Sequence, residues 1–471
     1  MSLSALPPEL LCRISIYLGA YDLNALRLAS RDSREKTRYD YEDRILSQRW
    51  RMSDDSLGTL NQLLQHPRFA TRYTDLRIST SFLSEHLERE ATGGGFDLWL
   101  EYLDEQHAFL KSSRPAALLT AVLVRMPGLR NVEIGQWCEP EEPFELGWGG
   151  NLLECMTESR LDPYMNVDPD AEVFDEDLDM IDMMDIPNMY NTNLTFNFDT
   201  VLTALSISQQ PIETLAAHLW SDCEGFADDL RGVEVTGLQP FAQELGGASH
   251  LRTGLKNSLA SLKQLQLVLE YRLADHEGFV IEHNEHWIQW LQEFIDLAPQ
   301  LETLSLYFDG LAMEEQLGDT GNRIAFSCFA RQAYMEHLTY LELANGVVAS
   351  DSLYILLCKQ WPKLKHMALK RVALDYIDPG KKDWSEILCG LGVLDDVPRS
   401  LSLACLYEED GKLVTFSTEP SEECVCRSGT YHEPGIFRFP RCRHTMFETA
   451  EGRLPTKVQA VECPTMSSLE I

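Results

Sequence analysis

The chain has 471 residues, a formal net charge of -34, and 44% hydrophobic against 24% charged residues. That length exceeds one compact core of ordinary size, so it calls for several domains or a quasi-one-dimensional repeat array, and the composition is that of a folded protein without gross disorder. Acidic residues outnumber basic ones 74 to 40, a balance that repels phosphate backbones and anionic lipid headgroups and excludes nucleic acid and membrane surfaces as expected partners.

The N-terminus, MSLSALPPELLCRISIYLGAY, has no basic segment ahead of its apolar residues, and Pro7, Pro8 and Glu9 interrupt them, so it does not read as a signal peptide. Pro8 suits the first turn of a helix, where its missing N–H costs nothing. Leu10, Ile14 and Leu18 then recur at helical spacing with Leu11 beside them, and Gly19 marks the end of the helix. Asp22 suits the cap of a second helix, whose Leu23, Leu26 and Leu28 point back toward the first. A third, more charged segment, Arg31 to Arg51, has Ile45, Leu46 and Trp50 as its apolar positions and continues the helical start.

The stretch LSALPPELLCRISIYLGAYDLNALRLASRDSR resembles an F-box: Leu6, Pro7, Pro8, Glu9, Leu10, Ile14, Leu18, Asp22, Leu23, Leu26, Ser30 and Arg31 stand where the family places its Leu-Pro start, its aliphatic helix, its Asp-Leu step and its Ser-Arg step. The match covers the first tenth of the chain. It departs from the family after Ser30-Arg31, where Asp32, Ser33 and Arg34 replace the usual aromatic or aliphatic residue. The resemblance implies that Leu6, Pro7, Pro8, Leu10, Ile14, Leu18, Leu23 and Leu26 bind a Skp-family adaptor. Through that adaptor it implies a cullin-RING ubiquitin ligase in which the chain does no chemistry and recruits a protein substrate.

Beyond this module, LNQLLQHPRFATRYTDLRI is similar to the entry segment of fungal F-box proteins. One phrase then recurs, a helix end followed by Leu-x-x-h-x-h with h aliphatic. It spans Met126 to Ile134, Leu259 to Leu267, Pro299 to Leu306, His337 to Leu343 and Pro362 to Leu369, with echoes at Leu76 to Ile78 and Ile212 to Leu215. Alternating h-x-h makes a half-buried strand, and the preceding helix supplies the layer on which it packs. The leading residues Leu301, Leu338 and Leu364 lie 37 and 26 residues apart, against about 20 to 29 in regular leucine-rich repeats. Helices such as Trp287 to Leu297 fill the longer units.

The expected fold is therefore α/β: a three-helix F-box-like module over 1–52, an irregular leucine-rich-repeat-like solenoid over 53–395, and a C-terminal cap over 396–471. An acidic, Pro- and Met-rich insertion over about 138–193 shows no sustained period and reads as a loop or disordered segment. Polar residues between the aliphatic strand positions would meet the target, with Arg130, Glu133, Glu302, Ser305, Tyr340, Glu342, Lys365 and His366 as candidates. Asn131, Thr303 and Thr339 fall beside them.

Motifs for chemistry are sparse. Gly93-Gly94-Gly95 and Gly149-Gly150 lack the spacing of a phosphate-binding loop, and no nucleophile elbow or zincin signature occurs, so neither a cofactor nor an enzyme is expected. Carboxylates such as Asp175 and Asp179 lack the glycine turn and terminal Glu of a calcium loop. Cys424-x-Cys426, His432 and Cys442-x-His444 offer enough donors for tetrahedral zinc, but one-residue gaps strain bidentate ligation. No metal is assigned, and these residues also fit reduced cysteines in a loop-rich cap. The 12 cysteines lie mostly singly in apolar stretches, which with the unremarkable N-terminus points to the cytoplasm or nucleus. A leucine-rich scaffold whose N-terminal helices merely cap the repeats, with no ligase partner, is the alternative function.

Overall fold

The computed structural model describes residues 6–16, 20–80, 104–138, 185–221, 232–234, 249–270, 287–308, 329–331, 333–360, 362–375, 400–404, 413–416, 445–448 and 458–461, with single positions between them. Their architecture is mixed α/β around a mostly parallel sheet.

Four helices open the chain: α1 (Pro8–Ile16), α2 (Ala20–Ala29), α3 (Arg31–Lys36) and α4 (Arg38–Ser47). The third segment is thus two helices rather than one. The Ser30 side chain accepts from the Ser33 N–H to start α3, and Thr37 ends it by donating its backbone N–H and its hydroxyl, at 2.8 Å, to the Ser33 carbonyl. Asp22 lies inside α2 instead of capping it. Leu11, Leu23 and Ile45 are buried and Leu10 and Ile14 are not, so α1 turns inward the face adjoining the Leu10–Ile14 stripe.

Gln48 is extended and ends α4, and the next residues leave the helical pattern for β1 (Arg49–Arg51), with Trp50 only 1% exposed in the sheet core. The expectation that the charged third segment stays helical through Arg51 is therefore corrected. A three-residue strand has too little sequence to announce itself, and pairing with β2 (Asp75–Ser79) decides it. Between them lie α5 (Asp54–Leu63), capped by the Ser53 side chain, and the short α6 (Pro67–Ala70).

Every leucine phrase becomes a strand. After β2 come β3 (Asn131–Cys138), β4 (Thr214–Ser221), β5 (Val233–Glu234), β6 (Gln264–Glu270), β7 (Thr303–Phe308), β8 (Tyr340–Ala349) and β9 (His366–Asp375). Apart from the short β5, which pairs with β6, each lies parallel to its predecessor in sequence order, and β10 (Ser400–Ala404) extends the order beyond β9. The expected C-terminal cap thus begins with a strand of this sheet. Its β12 (Thr445–Glu448) pairs antiparallel with β10, and β11 (Leu413–Phe416) pairs antiparallel with β13 (Val458–Val461).

The repeat is more regular in its hydrogen bonds than in its length. At each entry two successive N–H groups share one carbonyl of the preceding unit: Arg130 and Asn131 on Thr74, Glu213 and Thr214 on Arg130, Lys263 and Gln264 on Glu213. The series continues through Glu302 and Thr303 on Lys263, Tyr340 and Thr339 on Glu302, and Lys365 and His366 on Thr339, all between 2.7 and 3.1 Å. The leading Leu129, Leu262, Leu301, Leu338 and Leu364 are buried beneath these turns.

One face of the sheet buries the strand leucines against helices that run in the same order: α5, α7 (Arg114–Val124), α8 (Asp185–Ser208) and α9 (Ser249–Leu259), followed by α10 (Trp287–Ile295) and α11 (Ser350–Gln360). Adjacent pairs within α5, α7, α8 and α9 touch one another. Helix α8 begins inside the stretch expected to be an acidic loop, which corrects its C-terminal end. Leu194, Phe198, Val201, Leu202 and Leu205 are fully buried at helical spacing and carry it. Residues 139–184 of that stretch fall outside the described residues.

Candidate functional site

Two surfaces collect the residues singled out in the sequence. On α1 and just ahead of it, Pro7 and Pro8 are exposed, Leu10 is 46% and Ile14 38% exposed, and Leu6 is half-buried. Leu28 of α2 and Tyr39 of α4 are also exposed large apolar side chains. Leu23 is fully buried and Leu26 half-buried, so Leu23 holds the helices together and does not reach the surface; Leu18 lies outside the described residues.

A buried carboxylate clamps this helical module to α6 and to the turn that leads into β2. The Glu42 side chain, 6% exposed, lies 3.2 Å from Arg38 Nε, 2.6 Å from Arg68 and 2.8 Å from Arg72, and Arg72 also reaches Asp43 at 2.6 Å. The Tyr73 hydroxyl donates to the Ile45 carbonyl at 2.8 Å, and burial pushes that phenol well above its ordinary range. Arg44 donates to the Ser15 carbonyl at 2.8 Å, tying α4 back to α1.

The second surface is the sheet face turned away from the helices. In register, Arg77, Glu133, Ala216, Gln266, Ser305 and Glu342 make one continuous rung across β2, β3, β4, β6, β7 and β8. Thr303, Tyr340 and His366 fall on the preceding rung. The structure therefore brings Glu133, Ser305 and Glu342 onto one line, with Tyr340 and His366 beside it. Arg130, Glu302 and Lys365 stand instead at the strand entries, where Arg130, Glu213, Lys263 and Glu302 alternate in charge. Lys263 lies 3.2 Å and Arg130 3.8 Å from Glu213, beside a cleft of about 460 Å³ that also takes in Pro127, Gln210 and Pro211.

A scan against protein-family models finds no match, and a search of the curated proteins finds none either.

A polar group on the sheet face surrounds Glu342. Its side chain is 6% exposed, Oε2 accepts the Tyr340 hydroxyl at 2.9 Å, and Oε1 lies 2.6 Å from Lys370 Nζ. Oε1 makes no directional hydrogen bond, so the Lys370 contact is ionic and off-axis. Burial first, then the Glu342 charge and its hydrogen bond, push Tyr340 up to about 12; the same causes push Tyr307 higher still. The His366 ring sits 6.3 Å from that of Tyr340. Glu342 thus joins the aromatic Tyr340 and the cationic Lys370 on this face, with the exposed His366 ring beside them. Among the described residues no group of three or more His, Cys, Asp or Glu could hold a metal ion. The Cys424, Cys426, Cys442 and His444 cluster, with His432, lies outside them.

Tyr307, Lys370, Glu213 and Lys263 were not singled out in the sequence. The signal was there, because Glu213 and Lys263 follow the leading aliphatic residue as Arg130 and Glu302 do, and Tyr307 and Lys370 continue the h-x-h alternation by one step. No helix among the described residues is long and apolar enough to cross a membrane.

Proposed function

We propose that this chain is the target-recruiting subunit of a Skp-cullin-F-box ubiquitin ligase. Its four N-terminal helices act as the F-box, and the sheet acts as an irregular leucine-rich-repeat solenoid that holds a protein target. One observation carries the reading. The module already has an interior of its own in Leu11, Leu23 and Ile45, yet Pro7 and, on α1, Pro8, Leu10 and Ile14 remain open. A helix pair that only capped a solenoid would turn that stripe inward, whereas an adaptor-binding helix keeps it for its partner. The Glu42 and Tyr73 anchors would then fix adaptor and target at a set separation, which raises the effective concentration of the acceptor lysine near the charged conjugating enzyme. On the sheet, the Tyr340, Glu342, Lys370 and His366 group supplies the aromatic and charged anchors that a protein partner would contact.

The alternative, a repeat scaffold capped by these helices, draws on the same clamp, since α4 packs against β2 of the sheet. Binding of purified Skp-family adaptor to the full chain separates the two. Wild type should bind, and Ile14→Glu or Leu10→Glu should abolish binding, because a charge pressed into an apolar groove costs several kcal/mol. Both positions are exposed, so the thermal midpoint should stay within about a degree of wild type. A folded wild-type chain that ignores the adaptor, or an Ile14→Glu chain that binds as tightly, would leave the scaffold reading.

A further inference from the structure

Alternation along β1 sends Trp50 into the core and therefore sends Arg49 and Arg51 to the opposite face of the sheet. Across the ladder Arg77 stands beside Arg49, and Ser79 beside Arg51. Three guanidinium-bearing residues thus occupy two rungs at one edge of a chain whose net charge is -34. Two are engaged: Arg77 lies 3.5 Å from Glu133 and donates to the Ser47 carbonyl, and Arg49 has an interaction of its own.

Arg51 differs. The residue is 8% exposed, its backbone N–H donates to Ser56 Oγ at 3.0 Å, and its side-chain Nε is buried without a hydrogen-bond partner. Among the described residues no carboxylate pairs with its guanidinium, and burial alone pushes its pKa down to about 10, which leaves it cationic at neutral pH. A buried cation without a counter-charge is costly, and a guanidinium is the side chain whose planar fork of donors matches an oxyanion in two places at once. Neighbouring Arg77 and Arg49 add positive potential on the adjacent rung.

We propose that Arg51, flanked by Arg49 and Arg77 on the face of β1 and β2 opposite the helices, is a binding site for an oxyanion, a phosphate or carboxylate group brought by a ligand or partner. The site stands apart from the exposed α1 stripe, so it holds whether or not the chain binds an adaptor.

Thermal unfolding of the full chain tests it, at fixed pH and ionic strength, in chloride alone and with increasing inorganic phosphate or acetate. A bound anion raises the midpoint in a saturable way. Wild type should show that rise with at least one anion: phosphate alone identifies a phosphoryl-type ligand, and an equal response to acetate a carboxylate. Arg51→Gln should lose the response, and in chloride alone it should be at least as stable as wild type, because it removes an unpaired buried charge. Arg51→Lys keeps the charge without the fork and should weaken the apparent affinity about tenfold or more. A wild type indifferent to both anions, the same response in both variants, or an Arg51→Gln chain markedly less stable in chloride would overturn the proposal; the last result would assign the guanidinium to a counter-charge within the chain.

Discussion

Replacing Glu342 with Gln tests the polar group at the centre of the sheet face. The amide keeps the size and an acceptor oxygen, so the Tyr340 bond at 2.9 Å persists as a neutral one, while its charge-assisted part, worth about 1 kcal/mol, is lost. The Lys370 ion pair at 2.6 Å disappears, but the Lys370 side chain is 35% exposed and can turn to water, so that loss is about 0.5–1 kcal/mol. Relief of the carboxylate's own desolvation offsets part of both, which leaves a net destabilisation of about 1 kcal/mol. Tyr340 carries a second signature. Its pKa is pushed up to about 12 when folded, against an unfolded value of about 10. The folded state holds the phenolic proton more tightly, so this contribution is fully present below pH 10 and is lost as pH rises through about 12. Burial is the largest cause and survives the substitution, so in Glu342→Gln the tyrosinate transition should move down without reaching the unfolded value. Urea unfolding at neutral pH and a tyrosinate absorbance titration read the two effects. An unchanged unfolding midpoint with an unchanged titration would refute the view that an ionised Glu342 organises this face.

Two further substitutions probe how the layers are held. A Cβ at Gly254 of α9 would overlap the Ser206 carbonyl oxygen on α8, a backbone contact that cannot yield without separating the helices; Gly254→Ala should cost about 3 kcal/mol in chemical denaturation, and a loss below about 0.5 kcal/mol would mean the helices are not so close. Glu42→Gln removes the shared counter-charge of Arg38, Arg68 and Arg72, each about a third or more exposed, so it should cost only about 1–2 kcal/mol; amide exchange should rise across α4, and equal protection in both chains would show that Glu42 is not the clamp.

Much of the sheet was legible beforehand because β3 and β6 to β9 announce themselves twice, by h-x-h alternation and by the leucine that leads into them, and β2 and β4 once, by alternation. The seven segments marked by the phrase and its echoes all pair in parallel, in the order of the chain. The polar candidates were legible as a set, yet their division was not: Glu133, Ser305 and Glu342 share a rung while Arg130, Glu302 and Lys365 stand at the entries. That division depends on the residue at which a strand starts to pair, one step that alternation alone leaves open. Helix α8 escaped notice because its start lies in an acidic, Met-rich tract, although Leu194 to Leu205 carry a clear helical period.

Local chemistry in the sequence determined the periodicities and the first two N-terminal helices, since helical and strand spacing are properties of neighbouring residues. Tertiary structure decided which face each element buries. On α1, Leu10, Leu11 and Ile14 are all apolar, and only packing against α3 and α4 selects Leu11 for the interior and leaves the other two outside. Likewise Arg49-Trp50-Arg51 could have ended a helix; pairing with β2 made it a strand, sent Trp50 inward and buried Arg51 on the opposite face. Phase and burial arise from contacts between residues far apart in the chain, which no local pattern contains.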